Sequence, residues 1–273
     1  SSDRNKNQAD NNHKIDRSEN KLDELKEFFV RKLDSPLAII ITTFGLAIII
    51  FSIIVSIFPQ ILTPYSEMEA MGIYPGAFEP PSLSHPLGTT KFGRDVLARI
   101  IYGMRNSLFF GGISVLIALT GGLIIGIPMS LINHEKNVSS EILLFPYYVY
   151  PMILIALLTF NATLIIGMLM IPIFAQIFAK TKFNSVELIK TILIYTPLVL
   201  GFIILLHNGL AFLGFVYPSK FNLGYEINMT RERVYDAPWA CFFPGLAIFW
   251  LAMGLFLIYA GLQKTPREIS REI

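Results

Sequence analysis

Few side chains in this 273-residue chain are of kinds that do chemistry, and their spacing does not assemble a catalytic site. The four histidines, His13, His85, His134 and His207, lie far apart and show no HExxH or comparable ligand pattern. Cys241 is the single cysteine, which excludes an internal disulfide and a cysteine-based zinc site. No nucleophile stands beside a base in a recognisable motif, so no hydrolase is indicated. The phosphate loop GxxxxGK followed by Ser or Thr is missing, which excludes ATP binding of that type by this sequence. Two polar places remain. His207 and Asn208, in LLHNGLAFLG, sit inside an apolar run where polar groups are costly. They either line a watery path or hydrogen-bond across helices. The second place is HPLGTTKFGRDVLARIIYGMRNSLFFGG, from His85 to Gly112, which sets Lys91, Arg94, Asp95, Arg99 and Arg105 directly against apolar chain. Pro86 and Gly88 set turns. Arg94 and Asp95 are suited to bonding backbone groups there, and Val96, Leu97, Ile100 and Ile101 supply an apolar face. Arg99 and Arg105 are expected to reach water or lipid headgroups.

The elements that must hold these residues follow from the apolar runs. The chain is 53% hydrophobic and 15% charged, whereas a soluble domain carries about a quarter charged residues. Leu37 to Phe58, Ser107 to Asn133, Thr191 to Val216 and Ala237 to Gln263 are each long enough to cross a bilayer, which needs about 20 residues. Ile142 to Ala179 is about twice that length and must fold back, with Asn161 as the turn. The expected fold is therefore an all-α integral membrane protein with six transmembrane helices across residues 36–263, including a loop at 60–106. Residues 1–20 read as a polar, disordered tail. Residues 21–35 place Leu22, Leu25, Phe28, Phe29 and Leu33 at helical spacing among Lys21, Lys26, Arg31 and Lys32. That pattern fits an amphipathic interfacial helix, or a solvated helix packed on protein.

Lys and Arg near span ends give the orientation. The N-terminal cations, Lys136, Lys180, Lys182, and the 264–273 tail with Lys264, Arg267 and Arg271 all fall on one side under a six-span count. Lys91, Arg94, Arg99 and Arg105 oppose this, but they share a long loop with Glu67, Glu69, Glu79 and Asp95, and long loops weigh less. A multi-pass plasma-membrane protein with both termini cytoplasmic is expected. A net charge of +2 is too small to suggest a nucleic-acid partner. Gly122 and Gly126 have the GxxxG spacing that lets helices approach closely.

Three blocks carry a family resemblance. The His85 to Leu108 stretch resembles HPLGTDxxGRDVLSRxIYGARxSL, with Thr90 where Asp is usual. Leu210 to Phe215, LAFLGF, is similar to LSFLGLG. Asp236 to Ile248, DAPWACFFPGLAI, is similar to APWxxxFPGLAI. Together and in order, they resemble the C-type permease subunits of dipeptide, oligopeptide and nickel ABC importers, over roughly residues 30 to 270. The resemblance implies the type I importer permease fold and a non-enzymatic subunit that binds no cofactor. ATP and Mg would be held by two separate P-loop ATPase subunits. A second related permease would complete the path, and an extracytoplasmic solute-binding protein would deliver a peptide or a solute such as nickel. It also implies an outer cap containing Arg94 and Asp95, which either faces that protein or braces the loop. The charged knot Arg231, Glu232, Arg233 and Asp236 is a further docking patch or a solvated loop.

One family feature departs. Such permeases carry a cytoplasmic EAA loop between the fourth and fifth spans, whose short helix seats in the ATPase. Here Ala179 to Lys190 reads AKTKFNSVELIK, without the EAA triplet and roughly two dozen residues shorter than the family pattern. Three readings follow. A minimal helix docks, with Phe183 as an apolar knob and Lys180, Lys182 and Glu187 as its charges; or the partner permease carries the coupling; or the chain is a non-transporting membrane scaffold.

Overall fold

The computed structural model describes residues 36–132, 161–181, 184–216 and 221–263, together with Lys21, Asp23, Lys26 and Glu27. The 1–20 and 264–273 tails, most of the 21–35 segment, and the span expected between Ile142 and Asn161 lie outside the described residues. Lys21, Asp23, Lys26 and Glu27 are helical, and Lys26 donates to Asp23 at 3.1 Å.

Five described helices are long and apolar enough to cross a membrane. They are α1 (Pro36–Ile57), α2 (Val96–Ile132), α3 (Ala162–Ala179), α4 (Ser185–Phe212) and α6 (Pro238–Leu262), with the short α5 (Leu223–Thr230) between the last two. Among the described residues the only strand-like feature is an isolated bridge between Thr89 and Asp95. The apolar run located each span, and polar caps set where several begin. Asn161 accepts from the Thr163 amide at 3.1 Å and Asn184 from the Val186 amide at 3.3 Å, satisfying N–H groups that a helix start leaves open.

Two starts differ from the sequence expectation. Helix α2 begins at Val96 rather than Ser107, and α4 at Ser185 rather than Thr191. The uncharged runs stop at charged residues, but the helix continues past them because those charges find partners. Helix α2 is consequently 37 residues long, or about 55 Å at the usual rise. That exceeds the roughly 30 Å hydrocarbon core, so its first turns stand within the loop structure at one end.

Glycines set the seams. A Cβ at Gly122 would strike Phe174, and one at Gly126 would lie 2.6 Å from the Ala175 carbonyl and 2.7 Å from Phe178. The GxxxG pair therefore faces α3 at backbone contact. Because Ser114 meets Thr163, Gly121 meets Ile171 and Gly126 meets Phe178, the residue numbers rise together and α2 and α3 run parallel. Gly45 lies against Gly254 and Ile258, and Gly261 against Ala38 and Thr42, so α1 and α6 are antiparallel. Helix α4 runs against both α2, where Gly111 meets Ile204, and α6, where Gly201 meets Phe256. One buried core joins α2, α3 and α4 around Ile166, Phe174 and Ile203; a second joins α1, α2 and α6 around Val55, Ile101 and Leu251.

Candidate functional site: a cap and the polar seam beneath it

The loop between α1 and α2 folds over one end of the helices, and side-chain bonds to its own backbone hold it there. Ser66 and Glu69 form a reciprocal pair: the Ser66 amide donates to Glu69 Oε2 at 2.7 Å and the Glu69 amide to Ser66 Oγ at 3.3 Å. The Ser66 amide first, and then the Ser66 hydroxyl, hold the Glu69 carboxyl below its ordinary pKa. Gly88 and Gly93 adopt φ of +75° and +67°, where a side chain would be strained. A Cβ at Gly88 would also collide with the Trp239 ring at 2.6 Å. Thr89 Oγ1 ties two strands of the loop, donating to the Gly76 carbonyl at 2.7 Å and accepting from the Glu79 amide at 2.8 Å.

The charges of the opening motif are spent inside this cap. Asp95 caps α2, with Oδ1 accepting from the Ala98 amide at 2.7 Å, while Oδ2 lies 3.1 Å from His85 Nδ1. His85 stacks on Tyr65, centroids 5.5 Å apart. Arg94 Nε donates to the Gly72 carbonyl at 2.6 Å, and its guanidinium lies over Phe92. Burial, then the positive charge of Arg99, pull the Arg94 pKa below its ordinary value. Arg99 does not reach water or headgroups as expected: it is 3% exposed, paired with Glu226 and bonded to the Ala70 carbonyl at 2.8 Å. Its guanidinium also lies 4.8 Å from the Phe221 ring centroid. Helix α5 brings an acid to meet it, which makes burial of the charge possible. Arg105, by contrast, is half exposed, with an acid oxygen of Glu67 at 3.8 Å.

Helix α5 is the element the sequence did not reveal. It is only eight residues long, and its one signal is Asn222, whose Oδ1 accepts from the Tyr225 amide at 3.1 Å. It seats on the polar pair of α4. Asn208 donates to Ser107 Oγ at 3.3 Å and the Ile204 carbonyl at 2.9 Å, and accepts from the Gly224 amide at 3.2 Å. Gly224 is in backbone contact with Asn208, leaving no room for a side chain. His207 Nδ1 lies 3.3 Å from Asn222 Nδ2, beneath the Phe110 ring. Both are buried. Arg231 and Arg233 form an exposed turn just after α5, where Arg233 pairs with Asp236 at 3.1 Å. Trp239, at the start of α6, donates to the Thr89 carbonyl at 3.3 Å.

At the other end, α3 and α4 form a hairpin joined by residues 180–184, where Thr181 and Thr191 hydroxyls lie 3.4 Å apart. Glu187 sits in the first turn of α4 and accepts from Lys190 at 2.9 Å. Lys180 is exposed. Lys182 and Phe183 lie outside the described residues.

No protein-family model matches the chain. Curated relatives do. The chain is 27% identical over 277 residues to the dipeptide transport system permease protein of Alkalihalophilus pseudofirmus, covering 87% of this chain and 88% of that protein. It is 25% identical to the glutathione transport system permease protein of Pectobacterium atrosepticum, covering 87% and 89%. The nickel transport system permease protein of Escherichia coli is 24% identical, over 80% and 91%.

Proposed function

We propose that the chain is a C-type transmembrane permease subunit of an ABC importer that takes up peptides or a related small solute such as nickel. One observation carries this reading: the three blocks that resemble the family are far apart in sequence and meet at one end of the helices. The first touches the third where Trp239 bonds Thr89, and Ser107 of the first is tied to Asn208, just ahead of the second, on which α5 sits. Relatives named as transport permeases match along nearly the whole chain, which supports the same conclusion.

In this reading the cap faces outward and receives solute from an extracytoplasmic binding protein through the side bearing Arg94, Asp95, Arg231 and Arg233. Both termini are cytoplasmic. A second permease supplies the other wall of the path, and two P-loop ATPases bearing ATP and Mg supply the stroke. The count of six spans is supported by the parallel course of α2 and α3, because a chain joining parallel helices must return to the side from which it set out. His207 and Asn208 lie where the cap meets the bundle, so they govern the path by fixing α5 across its mouth. ATPase contact falls to the α3–α4 hairpin, through Lys180, Lys182, Phe183 and Glu187.

The rival reading, a membrane scaffold that has lost coupling, draws support from that hairpin: five residues separate α3 from α4, too few for a coupling helix between them. Copurification decides. Tagged protein should bring down a P-loop ATPase whose hydrolysis rises with peptide or nickel. Recovery of a different complex without an ATPase would establish the scaffold instead.

A further inference from the structure

A cleft of about 220 Å³ opens between the cap end of α1 and the third turn of α2, lined by Ile53, Ser56, Ile57, Arg105 and Leu108. Its polar groups are unusual for an apolar surface. Ser56 is 4% exposed, yet its hydroxyl has no hydrogen-bond partner among the described residues. One turn earlier, Ser52 shows the ordinary solution, donating back to the Ile48 carbonyl at 2.8 Å. A buried hydroxyl left unbonded is costly, so Ser56 is a donor awaiting an acceptor at the cleft wall. Arg105 supplies the charge. Its pairing with Glu67 spans 3.8 Å with both side chains well exposed, an arrangement that holds an arginine weakly. The remaining wall is aliphatic and continues outward along the exposed Ile50, Ile53, Ile57 and Phe109.

An orphan hydroxyl, a loosely held guanidinium and a greasy wall leading away match one chemistry, an oxyanion attached to a long apolar tail. Depth selects the source. Helix α1 has 22 residues, about 33 Å, so it crosses the hydrocarbon core and brings Ser56 to its edge. Arg105 stands nine residues into α2, about 13 Å below its tip. Both groups therefore sit at the level of lipid phosphates, where long cationic side chains reach the headgroups. We propose that this cleft is a specific phospholipid site. Arg105 and the Ser56 hydroxyl hold the phosphate, and an acyl chain lies along Ile53, Ile57 and Leu108. The occupant clamps the cap ends of α1 and α2 together. This rests on the membrane-spanning reading alone and is indifferent to whether an ATPase docks.

The test uses the full chain in nanodiscs of phosphatidylglycerol and phosphatidylcholine, doped with a phosphatidylglycerol bearing a photoreactive acyl chain. Labelled peptides are mapped by mass spectrometry. Crosslinks are expected on the peptides spanning residues 50–58 and 105–110. Arg105→Gln should lower them about tenfold, Ser56→Ala about threefold, and Arg105→Lys should keep most of the signal. Labelling of α4 is the internal reference, since a misfolded variant would change labelling everywhere. Equal labelling in Arg105→Gln and the unaltered chain would overturn the proposal, and so would displacement by millimolar inorganic phosphate, which would assign the cleft to a soluble anion. Displacement by a dipeptide would likewise overturn it. Copurification with an ATPase is unaffected by any of these outcomes, so the two readings fail separately.

Discussion

Arg99 concentrates the physics of the cap in one residue. It is buried among α2, α5 and the loop, paired with Glu226 and bonded to the Ala70 carbonyl, although its Nε finds no acceptor among the described residues. A buried pair stabilises little relative to apolar residues of the same size, but removing one partner strands the other charge. Glu226→Ala should therefore destabilise the protein by about 3–5 kcal/mol. The double variant Arg99→Met with Glu226→Leu should recover most of that. Thermal unfolding of the detergent-purified protein measures both, and equal losses in the single and double variants would refute the account. The sequence showed Arg99 as a cation near a span and no more, because its partner lies 127 residues away on a helix too short to announce itself. Asp95 was legible as a group that bonds backbone but not as a helix start: it caps α2, as an acid directly before an apolar helical run can, although the span was expected only from Ser107.

At the scale of elements, the span positions were readable because a water-soluble fold has little use for uncharged runs of bilayer length, and this chain repeats them. Their ends were less so, since a count of uncharged residues stops at Arg105 and Lys190 while the helix does not. Packing was legible only in part. Gly122 and Gly126 had the spacing for close approach, but Gly45, Gly254 and Gly261 make an equally tight seam between α1 and α6 without that motif. The seams can be tested against a built-in control. Gly112 on the same helix has nothing within 4 Å of an added Cβ. Gly112→Ala should be neutral or slightly stabilising, whereas Gly122→Ala should cost about 1–3 kcal/mol through overpacking against Phe174. Matching thermal shifts for the two would mean that α2 and α3 do not meet as described.

For the whole molecule, the arrangement of helices makes a prediction about sides. The start of α1, the end of α6 and the α3–α4 hairpin share one end, and the cap occupies the other. In a Cys241→Ala background, a cysteine at the exposed Ser84 should react with an impermeant maleimide on intact cells, and one at the exposed Lys180 only after permeabilisation. Reversed reactivity would invert the molecule and remove the hairpin from any cytoplasmic ATPase. The polar pair was the least legible feature, because His207 and Asn208 were marked by cost alone and their partners come from α2 and from α5 with its cap.

The length of α2 has a mechanical corollary. One unbroken rod of about 55 Å is gripped near its top by Asp95 and Arg99 and lower down by α3 through Gly122 and Gly126. Tilting such a rod by some 5° about the Gly122–Gly126 grip sweeps its tip, about 40 Å away, through about 3–4 Å, so a small rotation low in the bundle becomes a displacement of several ångströms at the roof. A rotation of α3 that carried α2 with it would therefore shift the cap sideways.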